Sequence, residues 1–223
     1  MSTGDSRVIQ SNQTGPHDNL IPTVKRHLAH EFRAPYADHS VALFEELKAW
    51  KEADGRPLVL DSCCGVGEST ANLALLHPDA LVLGLDKSAA RVEKHSHYHA
   101  GVDNYRVVRG NLNDLWRLMV ADGWQPTHHY ILYPNPWPKS GHLQRRWHGG
   151  PLFSSILALG GQLELRSNWR LYLEEFSEAL AVAGHEAHWH ELPAGPALTP
   201  FERKYGQSGQ SLHRIVCDLT KKS

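Results

Sequence analysis

Short apolar runs alternate with helical patterns along most of this chain, and no other feature constrains its fold as strongly. Leu58–Asp61 is a short apolar run followed by a glycine-rich turn, which is typical of a buried strand, and Ser69–Leu76 then has helical character. Repeated strand–helix units predict an α/β fold, in which a mostly parallel sheet has helices on both faces. The further predicted strands are Leu81–Asp86, Tyr105–Arg109, Tyr130–Tyr133, Gln162–Arg166, His185–Glu191 and Leu212–Leu219, and the further predicted helices are His39–Trp50, Ser88–Ala100, Leu112–Val120, Leu152–Leu157 and Trp169–Ala183.

Length and composition predict one domain without a membrane segment. The 223 residues are 41% hydrophobic, which fits a single compact domain over residues 39–223. Residues 1–38, which begin with a stretch rich in Ser, Asn, Gln and Thr, are predicted to form a partly flexible N-terminal arm. No apolar run approaches the roughly 20 residues that cross a bilayer, the start resembles no signal peptide, and three cysteines are too few for a disulfide framework. We therefore expect a cytoplasmic protein with no membrane partner.

Two glycines follow the first predicted strand, in Asp61-Ser62-Cys63-Cys64-Gly65-Val66-Gly67. Glycines allow a backbone to approach a ligand closely, and the amides that open the next helix attract negative charge. Asp86 ends the second predicted strand, where an acid in this architecture accepts hydrogen bonds from ribose hydroxyls. Each feature has a structural alternative, since the glycines can simply join strand to helix and Asp86 can cap the helix that starts at Ser88.

A stiff loop follows the fourth predicted strand, in Tyr133-Pro134-Asn135-Pro136-Trp137-Pro138-Lys139. Its prolines fix φ, so the intervening side chains are held where a parallel strand ends beside a ligand crevice. Trp137 is suited to stacking on an extruded base, or it is a core aromatic that closes the end of the sheet. Four basic side chains lie within eight residues that contain no acid: Lys139, His142, Arg145 and Arg146. They predict a local phosphate-attracting surface despite a net charge of −1. The alternative is that they belong to a solvent-exposed loop that binds no ligand.

These motifs, in this order, resemble a class I S-adenosylmethionine-dependent methyltransferase. The segment from Pro134 to Arg146 resembles the Pro-Asp-Pro-Trp-x-Lys-x-x-His-x-x-Arg-Arg signature of the bacterial tRNA (guanine-N7-)-methyltransferases. Ser167-Asn168-Trp169 with Tyr172 resembles that family's Thr-Asp-Trp-x-x-Tyr, and Thr199-Pro200-Phe201-Glu202-Arg203 resembles its Thr-x-Phe-Glu-x-Arg. The resemblance covers roughly residues 40–219.

The resemblance implies a Rossmann-like sheet of seven strands, S-adenosylmethionine as cofactor and tRNA as substrate, with N7 of a guanine as the methyl acceptor. It assigns a catalytic role to Asn135. Separately, the sequence has no Cys-x-x-Cys pair and no His-Glu-x-x-His motif, so we expect no metal site. The implied cofactor-binding residues are Asp61, Gly65, Gly67, Asp86 and Asn111. The implied substrate-binding residues are Trp137, Lys139, His142, Arg145, Arg146, Asn168, Thr199 and Glu202.

Departures from the family pattern at three positions leave alternatives open. Asn135 and Asn168 stand where the family has aspartates, and Cys63 stands where its cofactor loop has a leading glycine. Asn135-Pro136-Trp137 also resembles a shortened Asn-Pro-Pro-aromatic motif of amino-group methyltransferases. The alternatives are therefore methylation of an exocyclic amine in RNA or protein, or a cofactor- and RNA-binding paralogue with weakened turnover. The oligomeric state stays open.

Overall fold

A computed structural model describes residues 6–98, 100–192 and 195–220, and within them one sheet of seven strands carries the fold. The strand order is β3-β2-β1-β4-β5-β7-β6, and only β7 runs antiparallel to its neighbours. The strands are β1 Leu58–Ser62, β2 Leu81–Asp86, β3 Tyr105–Arg109, β4 His128–Leu132, β5 Gln162–Ser167, β6 His188–His190 and β7 His213–Asp218. The predicted α/β fold with a mostly parallel sheet is confirmed.

Eight α-helices are seen in the described residues: α1 Leu20–Ala29, α2 Asp38–Asp54, α3 Glu68–Leu76, α4 Ala89–Val92, α5 Leu112–Ala121, α6 Phe153–Leu159, α7 Arg170–Val182 and α8 Pro200–Gln207. Their ends follow from local chemistry. Gly55 adopts a left-handed φ of 79° and ends α2, and the side chain of Asn111 accepts a hydrogen bond from the Asn113 amide to begin α5. No helix of the described residues is long and apolar enough to cross a membrane.

The sheet is covered on both faces because successive strand residues point in opposite directions. Leu58 and Leu60 of β1 are buried in the larger apolar cluster, to which α1, α5, α6 and α7 contribute. Val59, between them, is buried in the smaller cluster with Ala71 and Leu73 of α3. The chain adds β2 and β3 on one side of β1 and then β4 and β5 on the other side. The carboxyl ends of β1 and β4 therefore form a topological switch point, where open α/β sheets bind ligands.

Several predicted elements differ from the structure. The helix predicted over Ser88–Ala100 is a four-residue α4 followed by a 3-10 helix, Glu93–Tyr98. The strand predicted over His185–Glu191 is reduced to the three residues of β6, and α8 was not predicted. The first five residues of the predicted arm, His99, residues 193–194 and the last three residues of the predicted domain lie outside the described residues.

Part of the predicted N-terminal arm belongs to the main core. Leu20 and Val24 of α1 are buried in the larger apolar cluster, and α1 packs against α6 and α7. The sequence does not show this, because the apolar residues of α1 form only one narrow stripe next to Lys25 and Arg26. The arm ahead of α1 lies across the surface and is hydrogen-bonded to the loop that follows β4.

Candidate functional site

A cleft of about 590 Å³ opens at the carboxyl ends of the parallel strands. Strands β1 to β5 each contribute a lining residue at the last position or within three residues of it: Cys63, Asp86, Asn111, Asn135 and Asn168. The fold therefore brings together side chains that are far apart in sequence, which is the arrangement expected at the switch point of such a sheet. Trp137 and Arg145 line the same cleft.

Asp86 organises the glycine loop from the end of β2. Its carboxylate accepts hydrogen bonds from the Gly65 amide at 3.0 Å and the Ser88 amide at 2.8 Å, and Arg91 pairs with it at 3.1 Å. Both structural alternatives for this motif are therefore realised, since Asp86 supports the turn and the start of α4. The carboxylate also lines the cleft, so a ligand role is compatible with these bonds.

Gly67 is required by packing. Its φ is 77°, and a Cβ at this position would come within 2.5 Å of His95 Nδ1 and 2.7 Å of Val107 Cγ2. Gly65 also has a positive φ, 62°, but no atom lies within 4 Å of the place where its Cβ would be. The close approach at Gly67 keeps the turn against β3, whereas Gly65 leaves space beside it.

Asp61 is buried beneath the glycine loop. One carboxylate oxygen accepts hydrogen bonds from the hydroxyls of Ser69 at 2.6 Å and Thr70 at 2.7 Å, which holds the first turn of α3. The other oxygen, Oδ1, has no hydrogen-bond partner among the described residues. Burial raises the pKa of Asp61 to about 6, against the lowering effect of the two hydroxyls. Asp61, Gly65 and Gly67 support the cleft from beneath and do not line it, so their predicted contacts with the cofactor stay predictions.

Backbone strain is concentrated around the cleft. Three residues other than glycine have positive φ in the described chain, namely Cys63 at 65°, Tyr133 at 51° and Trp137 at 46°, and all three line the cleft. Left-handed conformations of such residues cost energy and are retained mainly at functional sites. Asn135 lies between Tyr133 and Trp137 in the β4 loop, residues 133–140, which follows β4. Its side chain is exposed, and its side-chain oxygen accepts a hydrogen bond from the Trp137 amide at 3.4 Å.

Two of the four predicted basic residues, Arg145 and His142, contact the Trp137 ring. The Arg145 guanidinium lies over the Trp137 ring with 4.8 Å to its centre, and His142 meets the ring edge-on. The pKa of His142 is lowered mainly by partial desolvation and, to a smaller extent, by the nearby positive charges of Arg145 and Lys139. Lys139 and Arg145 are exposed, so they stay available to an anionic partner.

Arg146 differs from the exposed Lys139 and Arg145 because it is buried, although it also lines the cleft, and its predicted substrate role stays a prediction. The residue is 1% exposed, and its Nη1 lies 2.5 Å from Oε2 of Glu175, whose side chain is also fully buried. A buried guanidinium needs a partner of opposite charge, and Glu175 already supplies it.

Residues of the two downstream motifs have clear structural partners. Asn168 donates to Gln210 Oε1 at 2.8 Å, and Thr199 caps α8 by accepting a hydrogen bond from the Glu202 amide at 2.9 Å. Glu202 accepts two hydrogen bonds from Arg166, each at 3.0 Å. The substrate roles of Asn168, Thr199 and Glu202 stay predictions.

Sequence reasoning missed several residues that line the cleft: Phe32, Arg91, Phe201 and Tyr205. Phe201 and Tyr205 lie one turn apart on α8, with near-parallel rings at 6.0 Å, and Phe201 is 41% exposed. The sequence does contain a signal for the start of α8. Thr199 is followed directly by a proline and three residues later by Glu202, and this pattern is typical of a helix N-terminus. Phe32 was missed because it lies in the region assigned to the arm.

Residues 55–216, more than half of the chain, match the model of a protein family described as "Putative methyltransferase". The chain therefore belongs to this methyltransferase family. Among its relatives is a protein from Saccharophagus degradans named tRNA (guanine-N(7)-)-methyltransferase, 28% identical over 191 residues, covering 81% of this chain and 82% of that protein. Proteins with the same name from Treponema pallidum and Bordetella pertussis are 30% and 33% identical, over 71% and 73% of this chain. The matched part spans 66% of each of these two proteins, just under two thirds of their length.

Solved methyltransferase structures share the fold of this family member. The 16S rRNA methyltransferase KamB is 20% identical with a TM-score of 0.56, covering 83% of this chain and 94% of KamB. A 16S rRNA (adenine(1408)-N(1))-methyltransferase from Catenulisporales acidiphilia, solved with its cosubstrate S-adenosylmethionine, is 17% identical with a TM-score of 0.54, covering 76% of this chain and 88% of that one. At these identities the likeness establishes the fold alone.

Proposed function

We propose that the protein transfers the methyl group of S-adenosylmethionine to N7 of a guanine in tRNA, in the cytoplasm. The observation that carries the proposal is the cleft itself, where the acid at the end of β2 and the strained β4 loop meet at the switch point of the sheet. Family membership supports methyl transfer, and the names of the relatives support the RNA and the acceptor atom.

The residues present fit S-adenosylmethionine. Asp86 lines the cleft and offers a carboxylate to ribose hydroxyls, next to the glycine loop whose Gly65 amide it holds. Asn111 and Leu112 line the cleft at the end of β3, where the adenine ring is expected. When bound, S-adenosylmethionine supplies an electrophilic methyl group.

Loss of the Asp86 carboxylate should weaken cofactor binding. Asp86→Ala is expected to cost roughly 1.5 to 3 kcal/mol, because charge-assisted hydrogen bonds to ribose disappear. Calorimetric titration with S-adenosylmethionine measures this, and Asp79→Ala, a change of an exposed acid in the turn before β2, is the matched control. Equal affinities in the parent and Asp86→Ala would contradict the assigned cofactor site.

The chemistry asks little of the protein beyond positioning. Guanine N7 carries a free lone pair at neutral pH, so it forms the new N–C bond as the S–C bond breaks, and no proton has to be removed first. In this proposal Trp137 and Asn135, which line the cleft, hold the base, and the exposed Lys139 and Arg145 hold the RNA backbone. Because Asn135 is neutral, it stabilises the positive charge that develops on the purine less than a carboxylate would.

The exposed amide of Asn135 favours a second candidate, methylation of an exocyclic amine. Asn135 lies between two prolines, and its amide and the loop carbonyls can accept the hydrogens of such an amine. The two functions predict different products from the same cleft.

Incubation with labelled S-adenosylmethionine and total tRNA, followed by identification of the modified nucleoside, tests the proposal. Label in 7-methylguanosine is the expected result. Label in an N-methylated exocyclic amine would replace the first candidate by the second, and absence of any labelled nucleoside would contradict methylation of tRNA at either kind of atom.

A further inference from the structure

Three consecutive carbonyl groups of the β4 loop are held by donors from outside the loop. Arg146 donates to the Trp137 carbonyl through Nε at 3.2 Å and Nη2 at 3.1 Å, and to the Lys139 carbonyl at 3.3 Å. The hydroxyl of Ser11 donates to the Pro138 carbonyl at 2.6 Å. The prolines of the loop have no N–H of their own, so its carbonyls depend on such external donors.

Ser11 belongs to a strap, residues 11–17, which lies across the loop. Asn12 forms a reciprocal pair with Ser140: its side-chain nitrogen donates to the Ser140 hydroxyl at 2.9 Å, and its side-chain oxygen accepts from the Ser140 amide at 2.9 Å. The strap therefore contacts the loop at both Pro138 and Ser140, next to Trp137 and Lys139.

A buried clamp, Arg146 with Glu175 and Gln13, ties the strap and the loop to α7. Glu175 Oε1 accepts from the Gln13 side chain and from the His17 amide, both at 2.9 Å, while Oε2 accepts from Arg146 at 2.5 Å and is paired with His148 at 2.9 Å. Arg146 also donates to Gln13 Oε1 at 2.5 Å. Burial alone would raise the pKa of Glu175, but hydrogen bonds from His148, Arg146 and Gln13 outweigh it and hold the pKa at about 2.

A buried ion pair is not needed for stability, because apolar side chains of similar volume often stabilise a core as well or better. The Arg146–Glu175 pair differs from an ordinary buried ion pair in the acceptors that its N–H groups reach. The Arg146 guanidinium uses its remaining N–H groups on the backbone of Trp137 and Lys139, two residues assigned to RNA binding, and Trp137 has a strained φ of 46°. Strain of that kind persists only when the surroundings over-determine the conformation.

We propose that the clamp and the strap are positioning parts of the RNA site, which hold the β4 loop in the conformation that presents Asn135, Trp137 and Lys139 to the substrate. This inference rests on the proposed function. The strap is then a positioning part of the site, because its release removes the hydrogen bonds to the Pro138 carbonyl and to the amide and hydroxyl of Ser140 and so lets the neighbouring Trp137 relax.

A surface variant tests the inference without disturbing the core. Ser11→Ala with Asn12→Ala removes the strap's bonds to the loop, and Thr14→Ala, at an exposed position of the same strap, is the control. We expect kcat/KM for tRNA to fall roughly 5- to 30-fold in the double variant, as for the loss of three hydrogen bonds that each contribute at the low end of the usual range, with unchanged affinity for S-adenosylmethionine. Hydrogen exchange at the amides of Trp137, Lys139 and Ser140 should accelerate.

Arg146→Lys provides the second arm, since lysine keeps a charge near Glu175 but lacks the fork that reaches several carbonyls. Its kcat/KM for tRNA should also fall while its affinity for the cofactor is kept. The inference is overturned if the double variant keeps the parental kcat/KM and the parental exchange at residues 137–140, whatever its Tm, because the strap is then only a structural staple. If the parent methylates no tRNA, the proposed function fails instead, and unchanged exchange in the double variant would still overturn the positioning role.

Discussion

Asn135 distinguishes the two acceptors at the scale of a single side chain. If the acceptor is guanine N7, Asn135→Asp should keep or raise the rate, because a carboxylate stabilises the developing positive charge. If the acceptor is an exocyclic amine, the same change removes an NH2 donor and adds a charge, so the rate should fall. Asn135→Ala should slow either reaction by about 2 kcal/mol in the barrier through loss of orientation. Single-turnover methyl transfer on the identified substrate measures all three.

The matched control for these variants is Asn19→Asp, the same amide-to-acid change at an exposed position before α1. Its rate should equal that of the parent. Equal rates for the parent and both Asn135 variants would show that Asn135 takes no part in the reaction, and the β4 loop would lose its assignment as the reaction centre.

Single residues of the cleft were predictable to the extent that their roles depend on local sequence. Asp86 and Asn135 follow apolar runs, and the end of a parallel strand is a position that sequence can identify. Arg146 was not predictable, since Arg145 and Arg146 are adjacent and identical in type. Their different burial is decided by Glu175, which is 29 residues away, and by Gln13, which is 133 residues away.

The β4 loop should account for part of the salt dependence of tRNA binding. Replacement of Lys139 and Arg145 by Ala should weaken binding and reduce the slope of log affinity against log salt by up to about 0.7 to 0.9 per lost phosphate contact. Titrations at several salt concentrations measure the slope. Arg146 is left out of this variant because it is buried.

Lys51→Ala with Arg106→Ala is the control, since these cations pack over Trp124 and Trp50 instead of lining the cleft. Its slope should match that of the parent. If the Lys139 and Arg145 double variant has the parental slope, neither residue contacts RNA, and both simply belong to a solvent-exposed loop.

Helices and strands were predictable from the sequence where a single local pattern determines their type and ends. Buried strands such as β1 and β2 are recognisable as apolar runs. The helix predicted after Ser88 is shorter because the His95 ring packs between Val66 and Tyr105 and bonds to both, so the chain tightens into a 3-10 helix. That contact joins segments 29 residues apart, and no local pattern reports it.

The stability of the whole molecule should depend on pH through two buried groups with opposite effects. Burial lowers the pKa of His129 to about 3, so the unfolded state binds its proton first, and stability is lost as pH falls below about 6.5. Burial raises the pKa of Asp61 to about 6, so the folded state binds its proton first, and stability is gained as pH falls from about 6 to about 4. In that window the two contributions oppose each other, each with a slope of at most about 1.4 kcal/mol per pH unit.

His129→Gln should expose the contribution of Asp61. Glutamine can still accept the hydrogen bond that Ser62 shares with His129 Nε2, but it does not titrate. Between about pH 6 and pH 4, the free energy of unfolding of the variant should rise relative to the parent by up to about 1.4 kcal/mol per pH unit. Urea unfolding across this range measures it, with His97→Gln at an exposed position as the control. Parallel pH profiles for the parent and His129→Gln would contradict the burial of a neutral His129.

The strand order also has a consequence for synthesis on the ribosome. β7 lies between β5 and β6 in the sheet, although it follows both in the chain. The five parallel strands that carry the cleft are therefore complete while β6 still lacks its neighbour and one edge of β5 is open. An unpaired edge is a template for wrong pairing between chains, and here it persists until residues 213–218 leave the ribosome. A nascent chain of this protein can thus have an almost finished cleft while it is still exposed to aggregation.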